Sequence, residues 1–227
     1  MKNKNIIAVT NLIRCLSLDE LRNHEVVANL VRAFGIVQWG PAVFGEDELF
    51  RNHSVEVAGI YQTPGQISKA LVCLSFFKIG SYLEIGVFQG GNFLFASEYL
   101  RRFNPEIKCY AVDPTNYLND EISQIIEDSD WMEFIPSTSD SLFGNKFDLV
   151  MIDGDHSAEW VQRDWNNVGQ FADFCMFHDI QETSCPDVIE FWGKIKDGKP
   201  FVEFLDHSAP VPLQGIGIVQ NKKGEVA

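Results

Sequence analysis

Four short groups of residues combine acids, glycines and histidines at spacings that could do chemistry. The first is Glu84, Gly86 and Gly90, within Tyr82-Leu83-Glu84-Ile85-Gly86-Val87-Phe88-Gln89-Gly90-Gly91-Asn92. Gly86 permits a tight turn after an apolar run, and Gly90-Gly91 lets backbone approach a ligand at a helix start. The order is not G-x-G-x-x-G, and Glu84 stands at the strand end, where a pyrophosphate would be repelled; the loop therefore favours a cationic ligand without phosphates. The second group is Asp113, 23 positions after Gly90, close to the roughly 20-residue spacing at which an acid meets ribose hydroxyls in a βαβ unit. The third is Asp153-Gly154-Asp155-His156-Ser157 and the fourth is His178-Asp179, each following an apolar run. Clustered carboxylates suit a hard divalent cation, and a histidine near its ordinary pKa of about 6.5 suits general-base work.

A ribose without phosphate beside a positive charge describes S-adenosylmethionine, whose sulfonium and ammonium suit Glu84 and an acidic protein. Plainer readings stand beside these. The glycines would also serve a strand-to-helix turn, Asp113 before Pro114 a loop turn, and Asp153 to His156 a turn and helix cap. His178 would also serve as a buried, hydrogen-bonded histidine. His24, His53 and His207 read as surface residues, and Trp160 and Trp165 as core.

Positioning such groups requires strands that all end on one side. Seven apolar runs, 81–87, 107–112, 132–135, 147–152, 171–177, 201–205 and 215–219, alternate with helix candidates 90–103, 116–127, 157–168 and 185–195. This predicts an α/β, Rossmann-like, doubly wound sheet of seven strands, mostly parallel. No helix separates the last two runs, so the last strand is expected antiparallel to its predecessor. Ahead of the sheet, Thr63-Pro64-Gly65-Gln66 predicts a capping box opening a helix to about Phe77. Ser17 and Glu20 form a second box, and Val27, Leu30, Val31 and Phe34 mark a helix face ending before Gly35. The expected division is a helical and loop cap over 1–62, including an irregular stretch from Gln38 to Gln62, followed by a Rossmann-like domain over 63–227.

With these elements in place, the chain resembles the class I S-adenosylmethionine-dependent methyltransferases through Glu84-x-Gly86-x-x-x-Gly90 and Asp113. Phe147-Asp148-Leu149-Val150-Met151-Ile152-Asp153-Gly154-Asp155-His156-Ser157 resembles a segment of the small-molecule family found in antibiotic and sugar tailoring, and Phe177-His178-Asp179-Ile180 resembles its H-D-I. The resemblance spans roughly residues 62 to 220. It implies that Glu84, Gly86 and Gly90 line the methionine half of the cofactor, that Asp113 holds the ribose, and that the Ser137-Thr138-Ser139 turn lies by the adenine, with Ser139 and Asp153 counted among the cofactor contacts. The family often has an acid near the adenine, where this chain has Thr138 with Asp140 close by. Two routes to the acceptor proton follow. Asp155 or His156, with His178 nearby, acts as general base; or Mg²⁺ or another divalent cation held by Asp153 and Asp179 lowers the acceptor's pKa. Metal-dependent relatives commonly place a further Asp or Asn where this chain has Ile180.

Composition narrows the partners. Against 32 Asp+Glu stand 18 Lys+Arg, a formal net charge of −14, and the short basic pairs Arg101-Arg102 and Lys222-Lys223 offer little to release counterions from nucleic acid. Five scattered cysteines, Cys15, Cys73, Cys109, Cys175 and Cys185, read as reduced, small buried hydrophobes in a cytoplasmic protein. No apolar run reaches membrane-spanning length. The expected partner is a small-molecule acceptor, with O- favoured over N-methylation, and a homo-oligomer is left open. A nicotinamide-dependent oxidoreductase and a cofactor-binding protein without methyl transfer are the competing readings.

Overall fold

In a computed structural model, residues 4–35, 59–205 and 214–222 are described. Three helices, α1 (Lys4–Cys15), α2 (Leu18–Leu21) and α3 (His24–Phe34), precede α4 (Pro64–Leu74). The sheet then alternates with helices: β1 (Ser81–Ile85), α5 (Gly91–Arg101), β2 (Lys108–Val112), α6 (Asp120–Glu127), β3 (Met132–Ile135), β4 (Leu149–Ile152), α7 (Ala158–Asn167), β5 (Phe174–Phe177), α8 (Pro186–Ile195), β6 (Phe201–Phe204) and β7 (Ile216–Gln220). Strand order is β3-β2-β1-β4-β5-β7-β6. The first five strands in that order pair in parallel, and β7 is antiparallel to both β5 and β6.

The expected α/β architecture is thus present, with one difference. The last strand is antiparallel to its predecessor, yet it inserts between β5 and β6 and leaves β6 at the edge. Gly217 makes the insertion sterically feasible, because a Cβ there would fall 2.5 Å from the Trp192 ring. A buried β7, reading Ile216-Gly217-Ile218-Val219, suits a strand covered on both faces, whereas Phe201 of β6 is half exposed.

Val27, Ala28, Leu30, Val31 and Phe34 of α3 are buried, as their spacing demands, and α3 packs on α4. At about 1.5–3 kcal/mol for each fully buried large aliphatic or aromatic side chain, this face fixes the N-terminal helices firmly. They share one apolar cluster with Tyr82 of β1 and with Phe93 and Phe95 of α5. A buried carboxylate adds to the joint: Glu98 of α5 accepts a bidentate contact from Arg14 of α1.

Two local expectations differ. The Ser17/Glu20 capping box forms, but Thr63 makes no side-chain cap; Gln66 instead accepts from the Gly215 N–H at 3.1 Å, and the Gln214 side chain accepts from the Thr63 N–H at 2.9 Å. Buried side chains at this helix start are thereby committed to the chain entering β7. Cys109, Cys175 and Cys185 are buried and Cys73 is half-buried, but Cys15, in the last turn of α1, is exposed. Most of the 38–62 stretch lies outside the described residues, as do His53 and His207. No helix among the described residues is long and apolar enough to cross a membrane.

Candidate active site

The chain runs from β1 to β2 on one side and reaches β4 on the other, so a crevice opens beyond the carboxyl ends of β1 and β4. The Gly86 N–H donates to the Val112 carbonyl at 2.9 Å and the Asp153 N–H to the Ile85 carbonyl at 3.0 Å. These bonds hold the first, second and third residue groups together at one edge. Gly86 (φ +82°) must be glycine: a Cβ would lie 2.2 Å from the Asp153 carbonyl oxygen. Gly90, in the left-handed region at φ +83°, caps α5, and a Cβ there would meet Leu118 at 2.7 Å and Ile122 at 2.9 Å.

Two cavities meet at this turn, and Gly86, Phe88 and Asp153 line both. The larger, about 590 Å³, is lined by Glu84, Asn92, His156, His178 and Asp179, with Tyr61 and Gln62 reaching it from the segment before α4. The smaller, about 380 Å³, is lined by Asp113, Ser137, Thr138, Ser139 and Asp155, with Trp160 and Asp164 of α7. The predicted site residues are therefore gathered at one end of the sheet but divided between two chambers, except Gly90, which lines neither and packs on Leu118 and Ile122. Asp155, expected beside His156 as a base, lies with the smaller chamber, where its carboxylate accepts from the Ser157 N–H at 2.9 Å and is held below the usual carboxylate range by the Ser157 side chain and that backbone bond.

Glu84 is 1% exposed. It accepts from the Tyr82 hydroxyl and from Asn92 Nδ2, the latter at 3.0 Å. Burial pushes its pKa up to about 8, against the lowering effect of those donors. Asp113 accepts from the Phe88 N–H at 3.3 Å and the Thr115 N–H at 3.1 Å, so it ties the glycine turn to the end of β2. Ser139 is fully buried, donating to Asp164 at 2.6 Å and accepting from Asn167 at 2.9 Å. Burial raises the Asp164 carboxyl to about 6.

The histidines and acids of the larger chamber form one cluster. His178 Nδ1 lies 3.0 Å from Asp153 Oδ1 and 3.2 Å from Asp179 Oδ2. His156 Nε2 lies 3.1 Å from Asp179 Oδ2 and 4.0 Å from Asp153 Oδ1. Register explains the encounter: Ile152 pairs with Phe177, so the next residues on β4 and β5, Asp153 and His178, emerge side by side. Asp179 adopts φ +60°, rare for a residue with a Cβ, and turns back towards them. Asp153 and Asp179 raise His156 to about 10. Burial disfavours a charged His178, yet the same two acids hold it well above the usual histidine value. Burial likewise opposes ionisation of Asp179, but the facing imidazoles keep it well below the usual carboxylate range. The cluster thus replaces the expectation of a His156 near its ordinary pKa. For a divalent cation, Ile180 is a buried apolar side chain with nothing to offer, but nitrogen donors stand beside Asp153 and Asp179, so the residues fit an ion.

Sequence reasoning missed Tyr61, Gln62, Glu182, Cys185 and Gln214 in the larger chamber and Asp164 in the smaller. Asp164 left a signal, an acid on the apolar stripe Val161, Trp165, Val168 of α7. The others gather only through the fold.

Residues 83–180 match a family model described as a methyltransferase domain. No curated protein matches the sequence. Among solved structures, the O-methyltransferase NovP superposes with a TM-score of 0.59 at 11% identity, covering 88% of this chain and 100% of that one. An O-methyltransferase from Bacillus cereus, solved in complex with SAH, gives 0.51 at 15% identity over 66% of this chain and 78% of the other. The N-methyltransferase NodS from Bradyrhizobium japonicum WM9 gives 0.50 at 12% identity over 68% and 94%. In its matched segment and in its fold alike, this chain is similar to the Rossmann-like methyltransferases.

Proposed function

We propose that this methyltransferase-domain protein uses S-adenosylmethionine to methylate a hydroxyl of a small molecule. The observation that carries the reading is the pair of cavities meeting at Gly86. Adenosine fits the smaller, with Asp113 for the ribose and the 137–139 turn by the base. The methionine half enters the larger past the buried carboxyl of Glu84, where its cationic groups find an acid poor in solvent. A dinucleotide would bring a pyrophosphate to that same acid.

The rest of the larger chamber then faces the transferable methyl and receives the acceptor. Displacement at a sulfonium methyl is in-line, so the protein's task is alignment, exclusion of water and stabilisation of the acceptor oxygen as it loses its proton. His156 and His178, held cationic by Asp153 and Asp179, supply positive charge where that oxygen would become anionic. A divalent cation at the same cluster would, when bound, lower the acceptor's pKa in the same sense. Tyr61 and Phe88, packed edge-to-face at 5.4 Å, offer an apolar wall for the acceptor's carbon skeleton.

Calorimetric titration with S-adenosylmethionine and with NAD, followed by transfer of a labelled methyl group to a panel of phenols, sugars and amines, tests the reading. Binding of the former alone and label on a hydroxyl are expected. Binding of NAD alone would return the protein to the oxidoreductases, and cofactor binding with no product from any acceptor would leave a binding protein.

A further inference from the structure

The proposed function leaves the kind of hydroxyl open, and the described lining of the larger cavity narrows it. We infer that the acceptor is a hydroxylated aromatic ring, seated on a ledge formed by Tyr61, Phe88 and Tyr117, in preference to a sugar or an aliphatic alcohol. The inference rests on the proposed function for the transfer step alone, because ring binding is measured without turnover.

The ledge comes first. Three rings follow one another, with centroids 5.4 Å apart between Tyr61 and Phe88 and 6.0 Å apart between Phe88 and Tyr117. Tyr61 and Phe88 line the larger cavity, and Phe88 and Tyr117 are 41% and 57% exposed. Phe88 adopts φ +44°, a left-handed backbone that residues with a Cβ rarely take, and its N–H donates to Asp113 at 3.3 Å. Folding by itself favours neither the strained backbone nor a large apolar ring left half in water, whereas a ligand ring lying over Phe88 accounts for both. One more ring at about 4.5–7 Å, edge-on or offset, continues the pattern already present.

The polar groups of the same cavity are largely engaged with one another. Glu84 accepts from Tyr82 and Asn92. Asp153 accepts from Gln62 Nε2 at 2.5 Å and faces His178, while Asp179 faces both His156 and His178. Glu182 accepts from the Ser184 N–H at 3.3 Å and from the Gln214 N–H at 3.1 Å. Each of these carboxylates lining the cavity therefore already meets a donor of this chain. A sugar presents several hydroxyls that each need a partner, and among the described residues such a wall has few to give. An aliphatic alcohol holds its proton about as tightly as water, whose pKa is about 15.7, and needs a free base. A phenol, with a pKa of about 10, needs much less. In the transfer, the phenol oxygen bonds to the methyl carbon and the carbon–sulfur bond breaks. Its electron pair stays on sulfur, giving S-adenosylhomocysteine, and the phenol proton passes to water.

The protein, with and without S-adenosylhomocysteine, is titrated calorimetrically with 2-naphthol, with its saturated counterpart decahydro-2-naphthol, and with methyl glucoside. Transfer of label from S-adenosylmethionine to each is followed in parallel. 2-Naphthol is expected to bind at least about tenfold more tightly than the saturated alcohol, with methyl glucoside weaker than either, and to carry the label on its oxygen. Tyr61→Leu and Phe88→Gly, the latter placing a residue at ease in that backbone, should each cut the preference for the aromatic over the saturated ring by about threefold or more. Damage to the fold alone would weaken both ligands alike and leave their ratio unmoved. Equal affinities for the two ring systems, a ratio unmoved in both variants, or label carried only by the sugar or the saturated alcohol overturns the inference. If neither variant folds, Tyr117→Leu, at an exposed ring, and the ratio in the unmodified protein decide. Label on the sugar or the saturated alcohol alone leaves the proposed function standing without the aromatic acceptor. Absence of S-adenosylhomocysteine binding with 2-naphthol still preferred removes the proposed function and keeps the aromatic site.

Discussion

Glu84 should release a proton when the cofactor binds. Its carboxyl is buried in the larger cavity and protonates at about 8, so at pH 7 it is protonated in about nine molecules of ten. A cationic ligand stabilises the carboxylate and must drive off that proton. The penalty is a factor of about 11 in affinity at pH 7, or about 1.4 kcal/mol, relative to a pH well above 8. Titrations at pH 7 in buffers of different ionisation enthalpy give the number of protons released. Wild type minus Glu84→Gln should come to about 0.9, a difference that cancels the cofactor's own amino group. The affinity of the wild type should also gain nearly tenfold on the variant between pH 7 and 9. Equal proton counts for the two proteins would refute the reasoning, since Glu84 would then be ionised already or remote from the charge. Stability runs the opposite way with pH. A carboxyl whose folded pKa lies above its unfolded 4.5 loses stability as pH rises from about 4.5 to about 8, so the unliganded protein should lose melting temperature across that window more than Glu84→Gln does.

Three further outcomes follow from particular contacts. Asp113→Ala should weaken cofactor binding by about 1.5–3 kcal/mol in calorimetry, the range for hydrogen bonds to a charged group; an unchanged constant would take Asp113 out of the site. Gly86→Ala combines a left-handed backbone with backbone overlap at Asp153 and should cost about 2–4 kcal/mol in denaturant unfolding, where a loss under 1 kcal/mol would show that the turn yields easily. Arg14→Ala leaves Glu98 buried without its partner and should cost about 1.5–3 kcal/mol; adding Glu98→Gln should recover part of that, and no recovery would mean that the stem of Arg14, not its charge, holds α1.

The strand-and-helix alternation was legible in the chain before folding, because continuous apolar runs for strands buried on both faces and period-3.6 spacing for helices are both local. Val27, Leu30, Val31 and Phe34 reveal the buried face of α3 without reference to anything distant. The sequence also placed Glu84, Asp113, Asp153 and His178 at strand ends, and in a parallel sheet strand ends share an edge, so their gathering could be read before any coordinates. Ser17 and Glu20 cap as written because both partners lie within one turn. Thr63 and Gln66 carry the same signature and do not, because a distant segment, the entry to β7, takes up the Gln66 side-chain oxygen Oε1. The position of β7 inside the sheet depends on Gly217 meeting Trp192, a contact between elements with no local signature. Likewise the protonation of His156 is set by Asp153 and Asp179, and Asp179 reaches it only because β4 and β5 are neighbours in register and Asp179 bends at φ +60°. Local pattern fixes which residues face inward, whereas charge state and ligand geometry depend on distances of a few ångströms between groups far apart in the chain, and only the packed fold sets those distances.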